Sequence, residues 1–388
     1  MGKTRPPERS KLAKRKKKST NGPNNSQSPE ELLAQATALL QISEPESALS
    51  TARSALAQLQ LRAASNSNRI ALLPALSLIG EINVELGDIE SAREAFALSA
   101  DIDTNGDAPE SQGGGAEKFL WLAQLSEEGG RDSVNWYERG VETLKRQLHA
   151  LAEQDLEEEA DAIVEDKRTK LANALCSIAE VYMTDLSWDD KVAEEQCNKV
   201  IEEALVFGPD MPEVLQTAAS VRISQVKLEE ARHYLQQSLE LWKDLEPHDP
   251  QVPDFPARIS LSRLLMEAGM EDEAIEVLAR LVAEDDQSVE AWYLGGWCLN
   301  LMASKQGTGS TEEDPKEFQK RSRKWLQKCL KLYQLLDYED ERLREHALEL
   351  TAGLNDILGE PIDEEDDDDE ADEAWQDDES ENEEMEGT

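Results

Sequence analysis

Two stretches of this chain, far apart in the sequence, can be laid over one another. Leu76, Ile79 and Gly80 lead to Gly87 and then to Asp88-Ile89-Glu90-Ser91-Ala92-Arg93-Glu94-Ala95-Phe96. Leu261, Ser262 and Leu265 lead to Gly269 and then to Glu271-Asp272-Glu273-Ala274-Ile275-Glu276-Val277-Leu278. Each is a helix-spaced apolar set with a small residue, a glycine turn, and a second helix that opens on acids and soon reaches a small residue. One such hairpin of helices cannot bury its own apolar face. At 388 residues the chain could form two or three compact domains or one long solenoid, in which each such hairpin buries its face against its neighbours.

The pattern resembles the tetratricopeptide repeat, a helix-turn-helix unit of about 34 residues whose small positions let neighbouring helices approach closely. The small residue of the second helix recurs as Ala48, Ala92, Ser133, Ala193, Ala231, Ala274 and Ser322. The gaps of 44, 41, 60, 38, 43 and 48 residues all exceed the minimal unit, so material is inserted between repeats. Asp103–Gly115 and Ser304–Pro315 are rich in Gly, Asn, Ser and Pro and read as loops. Leu144–Val164 has no breaker and keeps apolar spacing at Leu144, Leu148, Leu151, Leu156 and Ile163, which predicts an elongated second helix in repeat three. Repeats two, five and six match well, whereas one, three, four and seven are degraded. Ser28-Pro29-Glu30-Glu31 reads as the first helix start, with Ser28 and Glu31 forming a capping box. Tyr338–Leu358, with Leu343, Ala347, Leu350, Leu354 and Ile357, reads as a capping helix stopped at Gly359. The expected fold is all-α: a right-handed superhelix of about seven degenerate repeats plus that cap, over residues 29–359. Disordered tails are expected at 1–28 and 360–388.

Charge is distributed unevenly along the chain. The net charge is −43, yet residues 1–20 carry nine Lys/Arg and one Glu. Residues 360–388 carry eighteen Asp/Glu and no Lys/Arg, which leaves −33 on residues 21–359. A body so acidic repels nucleic acid and anionic lipid and attracts basic partners. Solubility alone is the plainer role for the same charge. Cys176, Cys197, Cys298 and Cys329 are widely spaced within helical apolar patterns and read as buried, reduced thiols. No apolar run approaches a membrane span and the N-terminus has no hydrophobic leader, so neither membrane insertion nor secretion is expected.

The chain offers no nucleotide loop, no zinc spacing and no paired histidines, and neither an enzyme nor a cofactor is expected. Binding should fall on the first helices of the repeats, which line the concave side of such superhelices. Register places Glu81, Glu85, Glu180, Met183, Arg263, Glu267, Glu290, Tyr293 and Trp297 there. Acids beside large apolar groups suit a Lys/Arg-rich segment with apolar anchors. The alternatives remain open: Tyr293 and Trp297 could pack between helices, and the glutamates could form a solvated face. Repeat proteins that grip the acidic C-termini of heat-shock chaperones resemble one another in carrying a Lys/Asn clamp. Here the matching places hold Lys118 with Leu122 and Tyr293 with Trp297, which argues against that ligand. Lys14, Arg15, Lys16, Lys17 and Lys18 form a basic run that reads as a nuclear import signal, an RNA contact or a solvated tail.

The whole arrangement resembles the fungal dedicated assembly chaperones of large-subunit ribosomal protein four. The residues that carry the likeness run from Gly269-Met270-Glu271-Asp272-Glu273-Ala274 to Glu290-Ala291-Trp292-Tyr293-Leu294-Gly295-Gly296-Trp297, together with the acidic tail. The resemblance implies a basic ribosomal-protein client captured through a long internal loop. It also implies escort from cytoplasm to nucleus and transient association with preribosomes. No nucleic acid is expected in the groove, no membrane is involved, and a monomer is expected. A chaperone of histones or other basic nuclear proteins, or a scaffold joining complexes, would carry the same charge.

Overall fold

The computed structural model describes residues 27–66, 68–153, 159–187, 190–305 and 314–359. The basic run Lys14–Lys18, Leu156, most of the 304–315 loop and the acidic tail lie outside the described residues. All regular structure among the described residues is helical. Two compact units are present, divided between Glu127 and Glu128. The first contains α1 (Pro29–Gln41), α2 (Pro45–Asn66), α3 (Leu73–Glu85), α4 (Ile89–Ile102) and α5 (Glu117–Gln124). The second contains α6 (Gly130–Ala152), α7 (Glu159–Met183), α8 (Asp190–Phe207), α9 (Pro212–Ser224) and α10 (Leu228–Glu240). It continues through α11 (Phe255–Ala268), α12 (Glu271–Glu284), α13 (Val289–Lys305), α14 (Pro315–Leu335) and α15 (Glu341–Leu358).

The small-residue markers fall one each on α2, α4, α6, α8, α10, α12 and α14, and all seven are buried. Thus α2 and α4 in the first unit, and α8, α10, α12 and α14 in the second, are each the second helix of a packed pair, α6 carries the third marker, and α15 follows as the cap. Buried small side chains allow the helix axes to approach. A Cβ on Gly80 of α3 would sit 2.5 Å from the Phe96 ring of α4. One on Gly295 of α13 would sit 2.0 Å from the Trp325 ring of α14. One residue further, Ser322 Oγ donates to the Gly296 carbonyl at 2.7 Å. The α11–α12 turn closes through Gly269 in the left-handed region, φ 75°, where its N–H caps the end of α11.

A second marker lies beside the first. In three repeats an arginine follows the small residue: Arg93, Arg232 and Arg323. Each donates to a carbonyl at the C-terminal end of the helix that follows its hairpin. The distances are 3.5 Å to Leu125, 2.8 Å to Ala268 and 2.9 Å to Gly359. Carbonyls at a helix end lack intrahelical donors and carry partial negative charge, so a guanidinium there locks one repeat onto the next.

The capping box at Ser28 forms as the sequence predicts. Ser28 Oγ accepts from the Glu31 N–H at 3.1 Å, and the Glu31 carboxylate accepts from the Ser28 N–H at 2.9 Å. The cap helix α15 begins three residues later than its apolar pattern implies, because Asp340 caps it by accepting from Arg342 and Leu343 N–H. Leu343, Ala347 and Leu354 are buried against Leu326, Cys329 and Leu332 of α14, while Ile357 is exposed. One expectation fails. The stretch 144–164 is not one helix: α6 stops at Ala152 and α7 starts at Glu159, with Ile163 exposed on α7. Apolar spacing continued through the break because both helices carry it, and the sequence has no Gly or Pro there to mark the turn.

The loop 103–115 is held by a buried ion pair. Asp103 Oδ2 accepts from Lys118 Nζ at 2.7 Å, and its Oδ1 accepts from the Asp107 and Ala108 N–H groups. Lys118 Nζ also donates to the Gly115 carbonyl at 2.6 Å. The one lysine at a clamp-like position is therefore consumed internally.

Candidate functional site

Of the nine groove residues read from register, Glu81 and Glu85 lie on α3 of the first unit and the other seven lie in the second unit; α7 contributes Glu180 and Met183, α11 Arg263 and Glu267, and α13 Glu290, Tyr293 and Trp297. Four of those on α11 and α13 lie together. Arg263 and Glu267 of α11 with Tyr293 and Trp297 of α13 line one recess of about 370 Å³. Leu294, Leu301 and Met266 form its floor, and Asp340, Arg342 and Leu343 close one side. Its aromatic wall is ordered by the cap helix. Tyr293 Oη and His346 Nδ1 lie 2.7 Å apart, within hydrogen-bond distance. The His346 ring meets Trp297 edge-on with centroids 5.2 Å apart, and Tyr293 and Trp297 are 6.0 Å apart. Burial pushes the Tyr293 hydroxyl above its ordinary value, so it stays neutral.

Tyr293 and Trp297 both pack against the core of the second unit and face the recess, half-buried in each case. Packing between helices, one of the two roles weighed from sequence, is thus seen for both, and each leaves part of its ring exposed to the recess. Glu290 forms an ion pair with Arg263 at the rim, which offsets its charge. Glu81, Glu85, Glu180 and Glu267 are exposed and form no ion pair with any described residue. Partial desolvation of the carboxyl raises the Glu180 pKa, and the same effect, with the nearby Glu117 carboxylate, raises that of Glu81. Met183, partly buried, touches Ser224 of α9, with Oγ and Sδ 4.0 Å apart.

Sequence reasoning missed the contribution of the cap helix. Asp340, Arg342, Leu343 and His346 come from a segment read only as a lid on the hydrophobic end. His346 follows a helical pattern with no local sign of a partner 53 positions earlier. The four cysteines are buried and unpaired. Desolvation raises Cys176, Cys298 and Cys329 to about 12 and Cys197 to about 11, which keeps them as inert thiols. Among the described residues no cluster of His, Cys, Asp and Glu is arranged to hold a metal ion. No helix among them is long and apolar enough to cross a membrane.

Residues 222–298, from α9 into α13, match the family model described as Tetratricopeptide repeat. A curated protein of Emericella nidulans named probable assembly chaperone of rpl4 is 46% identical over 97% of this chain and 97% of its own length. A protein of Schizosaccharomyces pombe with the same name is 36% identical over 80% of this chain and 87% of its own. The solved structure titled assembly chaperone of RpL4, residues 1–338, is 49% identical. It covers 74% of this chain and 100% of its own, with a TM-score of 0.67.

Proposed function

This chain belongs to the family of the assembly chaperones of rpl4, and on that premise we propose that it is a dedicated chaperone of ribosomal protein L4. The client's basic internal segment lies along the first-helix faces, where acidic side chains give it temporary counter-charge. The observation that carries this reading is the set of four glutamates, Glu81, Glu85, Glu180 and Glu267, that have no cation of their own among the described residues. The recess beside Glu267 supplies an apolar anchor point, since its aromatic wall is prearranged by His346.

Physical chemistry favours this division of labour. Segments that end among rRNA phosphates carry dense positive charge and are unpaired before assembly. Carboxylates paired with them are later displaced by rRNA, whose phosphate density is higher. The chaperone keeps the client soluble, accompanies it from cytoplasm to nucleus through the basic run Lys14–Lys18, and releases it on preribosomes. The tagged chain purified from cells at low salt should retain L4 in near-equal amount. Recovery of histones, or of a complex lacking ribosomal proteins, would discard the proposal. Glu81→Lys, Glu180→Lys and Glu267→Lys together should abolish L4 retention while leaving the helical content unchanged.

A further inference from the structure

The outward side of α14 reverses the net sign of the acidic body, residues 21–359, in which it lies. Within Pro315–Leu335 there are seven Lys/Arg and one Glu, in a chain whose net charge is −43. Lys316, Lys320, Lys324 and Lys328 recur every fourth residue and so lie along one stripe of the helix. Phe318, Ser322, Leu326 and Cys329 are buried on the other side. Lys316 and Lys324 are exposed and form no ion pair with any described residue. Lys320 reaches Glu317, one turn away, at 3.1 Å, and Lys328 lies over the Trp292 ring at 6.0 Å. Neither the repeat architecture nor a basic client uses this stripe.

Next to it stands Arg323, whose Nη1 donates to the Gly359 carbonyl at 2.9 Å. The chain therefore leaves α15 beside the stripe, and the next segment is the most acidic in the sequence. Asp363–Glu373 carries ten Asp/Glu and no Lys/Arg. Extended, those residues reach up to roughly 36 Å, against roughly 22 Å of helix between Lys316 and Lys331. Reach is sufficient and the charges are complementary.

We propose that the α14 stripe is the docking site of the chain's own acidic segment, Asp363–Glu373. A tethered segment is present at an effective concentration in the millimolar range, which a free acidic partner seldom matches. RNA is disfavoured as an occupant, because the body around the stripe is strongly negative and repels phosphates. Docking withholds the stripe from phosphates and keeps the acidic segment from competing with the first-helix glutamates for a basic client.

The test is zero-length carboxyl-to-amine cross-linking of the full chain, with the monomeric fraction read by mass spectrometry. Cross-links should join Asp363–Glu373 to Lys316, Lys320, Lys324 and Lys328, and should fall severalfold between about 50 mM and about 0.5 M salt. A full-length variant with those ten acids changed to Asn or Gln should acylate the same lysines severalfold faster, with Lys170 and Lys243 unchanged. That variant should also bind labelled polyuridine at least tenfold more tightly than the natural chain. The proposal is overturned if the cross-links occur only between two copies, or if lysine reactivity is the same in both proteins. Equal polyuridine binding by both would likewise overturn it and assign the stripe to RNA.

Discussion

At the scale of single residues, two kinds of position separate stability from function. Gly295 is a packing device, since a Cβ there meets Trp325 at 2.0 Å. Gly295→Ala should therefore cost about 1–3 kcal/mol in denaturant unfolding, as overpacked helix crossings do. Glu81 and Glu180 act in the opposite sense. Their carboxyls are raised above the ordinary glutamate value of 4.5 by desolvation, so the folded chain holds their protons more tightly than the unfolded chain. Stability contributed by such groups is greatest at low pH and is lost as pH rises from the ordinary value through the raised one. Glu81→Gln and Glu180→Gln should thus gain stability relative to the natural chain across that window in urea titrations. The same substitutions should weaken L4 binding severalfold at neutral pH, because a client cation favours the ionised carboxylate. Unchanged binding would place the client elsewhere.

At the scale of elements, the connections between helices carry as much specification as the helices. The Asp103–Lys118 pair is almost fully enclosed, with side-chain exposures of 6% and 1%. Removing only the cation leaves a buried carboxylate unbalanced. Lys118→Met should therefore destabilise the first unit by about 3–5 kcal/mol in chemical denaturation, and adding Asp103→Asn should recover part of it. The helix hairpins themselves were legible, since Ala48, Ala92, Ser133, Ala193, Ala231, Ala274 and Ser322 all proved buried on second helices. The break between α6 and α7 was not. Apolar spacing reports which face of a helix is covered, and it stays silent when one helix ends and another begins in phase with it.

At the scale of the whole molecule, the proposed function makes charge the source of affinity for L4. L4 affinity should fall at least tenfold between about 50 mM and about 0.5 M salt, by titration at several ionic strengths, if carboxylate pairing carries binding. A flat profile would leave only the apolar recess as the source of affinity. On the proposed function, deleting residues 361–388 should change L4 affinity by less than tenfold, about 1.4 kcal/mol, because that reading puts the client on the first-helix faces. Deleting residues 1–20 should lower nuclear accumulation of a fluorescent fusion, and an unaltered distribution would remove the import role from Lys14–Lys18.

The repeat architecture, the burial of the small residues and thiols, the capping box and the acidic balance of the chain follow from the sequence by itself. All of these depend on local periodicity or on summed composition, and neither needs to know which distant segments meet. Tertiary structure alone decided that Tyr293 and Trp297 serve core and recess together, because His346 of the last helix arrives from 53 positions away. It alone neutralised Glu290 with Arg263 and left Glu267 free, although register puts all three on comparable faces. It also brought Gly359, at the end of α15, to Arg323 on α14. Pairings of this kind are fixed by how successive hairpins stack, a geometry that no single hairpin's residues encode.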